Sequence, residues 1–179
     1  MSSPDKSRSN LMELKARVSS VETLRKKLES MGARYVGTYH QVDTYFYVPK
    51  GRLKLRQVEG TKETQLIYYE REDVAEPKRS RVFILEVQQL AILQTFLGTF
   101  LKKRAVVDKQ REIYDYKGTK VHLDKVKNLG AFIEFERKTG SSTKGANRDR
   151  KALEELMQIL EIRLEDLVKG SYGDMILAD

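Results

Sequence analysis

Residues 130–138 (GAFIEFERK) alternate charged and apolar side chains with the period of a β-strand. Ile133 and Phe135 fall on one face, and Glu134 and Glu136 fall on the other. Segments upstream show the same alternation with Lys or Arg at the polar positions, most regularly in residues 52–56 (RLKLR). Unpaired charges cannot lie against an apolar core, because each one costs several kcal/mol. The charged faces must therefore either point to solvent or line a wet cavity that both signs share.

A shared cavity requires the sheet to curve into a barrel whose apolar residues face outward, beneath helices. The alternation predicts strands at residues 11–18, 41–48, 52–56, 65–71, 79–85, 106–116, 120–124 and 130–138. Helical spacing predicts helices at residues 20–31, 86–100 and 149–162, with a short helix at 165–169. We interpret residues 139–147 as a loop and residues 170–174 as irregular.

Length and composition favour one globular domain, since the chain has 179 residues of which 40% are hydrophobic and 34% are charged. We expect residues 1–10 to form a flexible N-terminal tail and residues 11–179 to form the single domain. The sequence has no run of apolar residues of transmembrane length, so we expect a cytoplasmic protein without a membrane partner. The net charge of +8 predicts an anionic partner, although an inert basic surface would have the same charge.

The absence of cysteine excludes disulfides, thiolate catalysis and cysteine-based metal sites. His40 and His122 are the only histidines, which excludes a histidine-rich site. A metal ion would then be held by carboxylate oxygens, an arrangement that favours Mg²⁺, Mn²⁺ or Ca²⁺. We interpret His122 as a packed or hydrogen-bonding histidine rather than a catalytic one.

The strands offer both acids and bases on their charged faces. Rows of Arg and Lys would clamp a polyphosphate, and carboxylates near that ligand would be repelled unless a divalent cation joined them. The mixture thus favours metal-assisted phosphoryl chemistry over simple anion binding. A solvated strand face is the alternative for Glu134 and Glu136, and a turn or salt bridge is the alternative for Asp124. The acids are Glu13, Asp124, Glu134 and Glu136, and the bases are Lys15, Arg17, Arg52, Lys54, Arg56, Arg79, Arg81, Lys109 and Arg111.

In this order and spacing the motifs resemble those of the CYTH family, the triphosphate tunnel metalloenzymes. Glu13-Leu14-Lys15 resembles the last three positions of the family's Glu-x-Glu-x-Lys strand, with Leu11 where the first Glu is expected. Either Glu70 or Arg71 stands where the family has a lysine. The other matching segments are Lys54-Leu55-Arg56, Arg79 and Arg81, Lys109-Gln110-Arg111, Asp124 and Glu134-Phe135-Glu136.

The resemblance implies an α+β fold built on a closed antiparallel β-barrel of about eight strands, a tunnel flanked by helices, with the segment near Tyr172 plugging one mouth. It implies one or two Mg²⁺ or Mn²⁺ ions on Glu13, Asp124, Glu134 and Glu136, and catalytic roles for Glu13, Lys15, Glu134 and Glu136. It also implies a phosphate clamp formed by Lys15, Arg17, Lys54, Arg56, Arg71, Arg79, Arg81, Lys109 and Arg111.

Three functions follow from these expectations. The first is a metal-dependent hydrolase of inorganic tripolyphosphate or of a nucleoside triphosphate. The second is an adenylate cyclase of class IV type, which converts ATP to cyclic AMP and pyrophosphate and would need an adenosine pocket. The third is a non-catalytic module that binds polyphosphate or RNA. We expect a triphosphate-containing small molecule, rather than nucleic acid, as the partner, and the oligomeric state stays open, with a homodimer as one option.

Overall fold

A computed structural model describes residues 8–178 of the chain. Eight strands and four helices make up this part of the chain, with one 3₁₀ turn at Leu164–Asp166. The strands are β1 (Arg8–Val18), β2 (Arg34–Phe46), β3 (Arg52–Val58), β4 (Thr64–Arg71), β5 (Lys78–Glu86), β6 (Lys103–Tyr116), β7 (Thr119–Val126) and β8 (Gly130–Lys138). The helices are α1 (Val21–Ser30), α2 (Leu90–Phe100), α3 (Thr143–Ile159) and α4 (Tyr172–Ala178).

The strands form one closed barrel in the order β1-β5-β4-β3-β2-β6-β7-β8, in which β8 pairs with β1. Every neighbouring pair of strands is antiparallel. The prediction of an α+β fold with a closed antiparallel barrel is therefore confirmed. Closure leaves no free strand edge and separates an inner face from an outer face.

Helices α1 and α3 cover the outer face of β1, β7 and β8. Leu28 of α1 and Leu153 of α3 are fully buried in one cluster with Leu123 and Phe135 from the strands. Helix α1 begins as predicted, because the Ser20 hydroxyl accepts a hydrogen bond from the backbone N–H of Thr23. The main apolar core of this side thus lies outside the barrel. The inner face carries the charged side chains together with a second apolar cluster, which includes Ile67, Val82 and Tyr172.

Helix α2 covers the outer face of β2, β3 and β4 with a single buried residue, Leu97, which packs with Phe46 and Leu55. Its other side leaves Phe96 and Phe100 exposed. This helix is apolar but short, and none of the helices in residues 8–178 has the length and hydropathy needed to cross a membrane.

Several segment boundaries differ from the sequence-based expectations. Strand β2 begins at Arg34 and not at residue 41, and the short helix expected at 165–169 is a 3₁₀ turn at Leu164–Asp166. Strand β1 begins at Arg8, so residues 8–10 extend the barrel instead of belonging to the tail, and residues 1–7 lie outside the described part. Helix α3 begins at Thr143 within the expected loop, because the Ser142 hydroxyl accepts a hydrogen bond from the backbone N–H of Gly145. The C-terminal segment, expected to be irregular, forms α4.

Candidate active site

The barrel encloses a charged cavity of about 150 Å³. Side chains of β1, β2, β3, β4, β5, β6 and β8 line it, together with residues just before and at the start of α4. Seven cations and three carboxylates lie in this lining. They are Lys15, Lys54, Arg56, Arg71, Lys78, Lys109 and Arg111, and Glu13, Glu134 and Glu136.

One side of the cavity, here named the basic pole, consists of Lys54, Arg56 and Lys109 arranged around Asp43. Asp43 lies on β2 and is completely buried. Lys54 Nζ donates to Asp43 Oδ2 at 2.9 Å, Arg56 donates to both carboxylate oxygens at 2.7 Å, and Lys109 Nζ lies 3.5 Å from Oδ2. Strand β2 lies between β3 and β6 in the barrel, and this order brings the four side chains together. One carboxylate therefore holds three cations in place.

Electrostatics at the basic pole keep Asp43 charged and weaken the hold of the lysines on their protons. Burial alone would raise the pKa of Asp43, but Arg56 and Lys54 outweigh it and hold the pKa well below its usual value. Burial and the neighbouring Arg56 lower the pKa of Lys54 to about 8. Burial and Arg111 lower the pKa of Lys109 to about 7. An anion bound in the cavity would relieve this crowding of positive charge.

Glu13, Glu134 and Glu136 line the opposite side of the cavity, and His122 lies next to two of them without lining the cavity itself. These four residues are here named the acidic pole. Strands β1 and β8 pair so that Glu13 lies opposite Glu136 in the register. Glu134 is held by Lys15 at 2.7 Å and by Arg111 at 2.5 Å. Glu136 has no lysine or arginine within salt-bridge distance in the described part of the chain.

The two paired carboxylates of the acidic pole differ in proton affinity. Burial alone would raise the pKa of Glu134, but Lys15 and Arg111 hold it well below its usual value. Burial raises the pKa of Glu13, and it outweighs the opposing effect of Arg71, whose Nη1 donates to Glu13 Oε2 at 2.7 Å. Glu134 is thus fixed as a carboxylate by its two cations.

His122 lies on β7 with 5% of its surface exposed. Its Nδ1 atom is buried and has no hydrogen-bond partner within residues 8–178. This atom lies 3.7 Å from Glu134 Oε2 and 3.7 Å from Glu136 Oε1. One donor atom from each of His122, Glu134 and Glu136 lies within 4.8 Å of the others. This donor set fits a metal ion, because it joins an unpaired buried nitrogen to two carboxylates.

The C-terminal segment closes one end of the cavity. Lys78 Nζ donates to the carbonyl oxygens of Val168 and Lys169 at 3.3 and 2.9 Å. The ring of Tyr172 lies 3.6 Å from Lys15 Nζ, and its hydroxyl donates to Asp124 Oδ2 at 2.7 Å. Salt bridges from Arg52 and Arg104 to Asp174 hold α4 in place. The segment near Tyr172 thus lies where the resemblance had placed a plug.

Comparison with known proteins agrees with this architecture. A family model of the CYTH domain matches residues 10–172. The chain belongs to the CYTH domain family.

Individual relatives cover nearly the whole CYTH chain. A Methanocaldococcus jannaschii protein named as a candidate adenylate cyclase is 24% identical over 176 residues, which is 92% of this chain and 97% of the relative. A Pyrococcus horikoshii protein of known structure is 26% identical, with a TM-score of 0.81, covering 92% of this chain and 98% of its own. A Hippeastrum protein is 12% identical with a TM-score of 0.67 and 95% coverage of both chains, and its structure is described together with a dominant triphosphatase activity.

Most of the site residues expected from the CYTH motifs line the cavity, but Asp124 does not. It is completely buried, and both of its carboxylate oxygens accept hydrogen bonds from Arg111 at 2.7 and 2.6 Å. The Tyr172 hydroxyl donates a further hydrogen bond to Oδ2 of Asp124. The structure therefore places Asp124 behind Arg111, where it orients the guanidinium, and not among the carboxylates that face the cavity.

Three arginines of the expected phosphate clamp lie outside the cavity. Arg17 is exposed and donates to the carbonyl oxygen of Leu129. Arg79 and Arg81 are exposed on the outer face, because the inward residues of β5 are Lys78, Ser80, Val82 and Ile84. The expected cationic row on β5 was thus assigned to the wrong face of the strand. The inward cation of β5 is Lys78, which the sequence reasoning did not select.

Leu11 stands where the CYTH acidic strand is expected to begin with Glu. It lines the cavity on the same face of β1 as Glu13. Of the two candidates for the family's lysine on β4, Arg71 lines the cavity. Glu70 accepts instead from the Tyr68 hydroxyl at 2.7 Å.

Two further functional residues were missed or undervalued in the sequence. Asp43 is an isolated acid with the parity of Tyr45 in an otherwise apolar and β-branched strand, and such an acid needs cationic partners if it is buried. His122 shares its parity with Asp124, which places both side chains on the same face of the strand. The sequence does not indicate that one ring nitrogen of His122 lacks a hydrogen-bond partner.

Proposed function

We propose that this CYTH protein is a metal-dependent triphosphatase that binds the phosphate chain inside the barrel. The observation that carries the proposal is the division of one small cavity into a basic pole and an acidic pole. Simple anion binding would need the basic pole alone. Metal-assisted phosphoryl transfer uses both, since the carboxylates hold a cation against the phosphate oxygens.

The basic pole and its neighbours would bind the substrate. Arg56 uses its Nε–Nη2 edge for Asp43 and has the Nη1–Nη2 edge left for phosphate oxygens. Arg111 donates Nε and Nη2 to Asp124 and Glu134 and has Nη1 left, and Lys54 and Lys109 act as point charges. Asp43 and Asp124 fix the two guanidinium groups before the ligand arrives, which reduces the entropy that binding costs. As charge develops on the transferred phosphoryl group, these fixed donors stabilise it.

The acidic pole would hold Mg²⁺ or Mn²⁺. Donor atoms of Glu134 and Glu136 lie within 4.8 Å of each other, and Glu13 faces Glu136 across the β1–β8 pair. A bound divalent ion would neutralise phosphate charge and lower the pKa of a coordinated water. Lys15 and Arg111 keep Glu134 ionised, so that this carboxylate stays available at neutral pH.

The size of the cavity favours hydrolysis of a phosphate chain over cyclisation. A volume of about 150 Å³ is small beside the roughly 300–1,000 Å³ typical of pockets that enclose a drug-sized ligand. A triphosphate fits the charged interior, whereas an adenosine would remain at the mouth. Cyclisation requires the ribose 3′-oxygen to reach the α-phosphate, and the nucleoside must then enter the site.

Adenylate cyclase activity is the second candidate, and the name of the M. jannaschii relative favours it. The two reactions differ in their products, so one assay separates them. The purified protein is incubated with tripolyphosphate and with ATP, each with Mg²⁺, with Mn²⁺ or with EDTA. We expect orthophosphate release from tripolyphosphate that depends on the metal.

Cyclic AMP and pyrophosphate from ATP would replace the hydrolase proposal with the cyclase. Tight binding of tripolyphosphate without turnover under any condition would contradict both enzymes and support the non-catalytic module. The control protein carries Glu136→Ala, which removes a carboxylate of the acidic pole and leaves the basic pole intact.

A further inference from the structure

The unpaired nitrogen of His122 is the buried group that the proposed reaction does not yet use. At 3.7 Å from each carboxylate oxygen, Nδ1 is too far away for a hydrogen bond to either one. A buried polar atom without a partner destabilises the folded protein. The nitrogen therefore lacks a partner that lies between it and the two carboxylates.

Neither tautomer of a neutral imidazole satisfies this arrangement. With a proton on Nδ1, the donor reaches no acceptor at hydrogen-bond distance. Without it, the nitrogen lone pair faces the oxygens of Glu134 and Glu136. A cation between the three atoms satisfies all of them, and two ligands of one ion with bonds of about 2.1 Å are separated by about 3.0–3.4 Å. The two Nδ1–oxygen separations of 3.7 Å are a few tenths of an ångström longer than this, and the donor atoms of Glu134 and Glu136 lie within 4.8 Å of each other.

Leu11 occupies a cavity-facing position of β1 from which an acidic residue could have supplied a metal ligand. The acidic strand β1 contributes Glu13 to the cavity, but the other inward position holds a leucine and offers no ligand. Glu13 is paired with Arg71, and Glu134 is paired with Lys15 and Arg111. Glu136 is the carboxylate of the acidic pole that forms no salt bridge with a lysine or arginine of residues 8–178. His122 Nδ1 is the neighbouring nitrogen without a hydrogen-bond partner. A second ligand for an ion on Glu136 is therefore available on β7.

We propose that His122 Nδ1 is a direct ligand of the metal ion, together with Glu134 and Glu136, and that the site prefers Mn²⁺ or Co²⁺ to Mg²⁺. The inference rests on the proposed metal-dependent function and adds a ligand and an ion preference to it. Imidazole nitrogen suits first-row transition ions, whereas Mg²⁺ prefers an all-oxygen shell. The earlier expectation that oxygen alone would hold the ion is thereby revised.

Electron paramagnetic resonance of Mn²⁺ tests the ligand directly, without substrate and without turnover. The full-length protein is titrated with Mn²⁺, the free ion is measured to obtain the dissociation constant, and pulsed spectra of the bound ion are searched for coupling to ¹⁴N. We expect nitrogen coupling in the wild type and its loss in His122→Gln. The Mn²⁺ dissociation constant should rise at least about tenfold in that variant. The dissociation constant of Mg²⁺, measured by competition with Mn²⁺, should change much less.

His40→Gln is the matched control, because His40 is the other histidine and lies outside the cavity. Its ring nitrogens contact Glu59 and Asp108, so neither is free for an ion. Bound Mn²⁺ without nitrogen coupling in the wild type would overturn the inference, even if His122→Gln did not fold. Unchanged Mn²⁺ affinity in a folded His122→Gln protein would also overturn it, as would the absence of Mn²⁺ binding.

These outcomes are separate from those of the proposed function. Metal-dependent release of orthophosphate together with a nitrogen-free Mn²⁺ spectrum would leave the triphosphatase standing and remove His122 from its site. Nitrogen coupling without any turnover of tripolyphosphate or ATP would support the metal ligand and contradict the hydrolase.

Discussion

The two poles of the cavity differ in how completely the protein itself satisfies their charges. At the basic pole, Asp43 accepts hydrogen bonds or close contacts from three cations and keeps all of them oriented. At the acidic pole, Glu134 forms salt bridges with two cations. Within residues 8–178, Glu136 forms no salt bridge with a lysine or arginine, and His122 Nδ1 has no hydrogen-bond partner.

This difference indicates what each pole is prepared to receive. The basic pole is fixed in geometry before a ligand arrives but keeps an excess of positive charge, because three cations share one carboxylate. It is therefore prepared for an anion. The acidic pole is incomplete and needs a cation to satisfy it. A phosphate chain with a bound divalent ion would supply an anion to the basic pole and a cation to the acidic pole. The role of each pole is tested by changing one of them at a time.

The largest effect on stability is expected from Asp43→Asn at the basic pole. The substitution leaves Lys54, Arg56 and Lys109 crowded without a carboxylate, and breaking such a buried set costs about 3–5 kcal/mol. Urea unfolding should show this loss in the free energy of unfolding. Tripolyphosphate, added without metal, should raise the melting temperature of the variant more than that of the wild type, because the ligand replaces the lost charge.

Asp73→Asn is the control, since Asp73 is half exposed and pairs with Arg52 away from the basic pole. Its stability should change far less. An Asp43→Asn protein as stable as the wild type would show that the carboxylate does not hold the three cations together.

The acidic pole is expected to respond through activity and not through stability. Glu136→Gln removes a charge that is 31% exposed in its side chain and has no Lys or Arg partner within residues 8–178. We expect kcat for tripolyphosphate to fall at least about 100-fold, with the free energy of unfolding nearly unchanged. Glu70→Gln, which lies on the outer face of β4, should keep wild-type kcat. Equal rates in the two variants would remove Glu136 from the metal site.

The closed barrel was predicted from the resemblance to the CYTH family, whereas alternation within the strands left the charged faces either in solvent or in a shared interior. The local rule behind the strand predictions is alternation of charged and apolar residues. Residues 52–56 of β3 follow it without a fault, and residues 133–136 of β8 follow it as well. The rule failed at β5 for a physical reason. Part of the cavity wall there is apolar, with Val82 and Ile84 facing inward, so Arg79 and Arg81 could face solvent.

The missing parts of the site depend on contacts between distant segments. Asp43 and Lys109 are separated by 66 residues and meet because β2 pairs with β6. Alternation within a strand predicts a face but gives no register between strands. The start of α3 was missed for a different reason. Its first turn is polar and solvated, so the cap at Ser142 had no apolar periodicity beside it.

Arg56→Ala tests whether the basic pole binds the phosphate chain. The guanidinium faces the cavity from β3, and losing its charged hydrogen bonds should raise KM for tripolyphosphate by about 10- to 100-fold, with a smaller change in kcat. Arg81→Ala is the matched control, because this arginine is exposed on the outer face of β5. Equal effects of the two substitutions on KM would contradict the assignment of the two faces.

The smallest effect is a pH dependence of binding that comes from Lys109. Its pKa of about 7, lowered by burial and by Arg111, means that its positive charge is present below pH 7 and is lost as the pH rises through that value. The dissociation constant of tripolyphosphate, measured by calorimetry without metal, should therefore differ most between the wild type and Lys109→Gln at pH 6, and the two values should converge by pH 9.

Taking the ratio of the dissociation constants of the two proteins cancels the effect of ionisation of the ligand itself. A ratio that stays constant from pH 6 to pH 9 would show either that Lys109 keeps its proton throughout or that it does not contact the phosphate chain, and Lys109→Arg separates these outcomes. Because arginine cannot lose its charge in this range, affinity that persists at pH 9 in Lys109→Arg would show that the charge at this position contributes to binding, and that its loss from lysine weakens the basic pole.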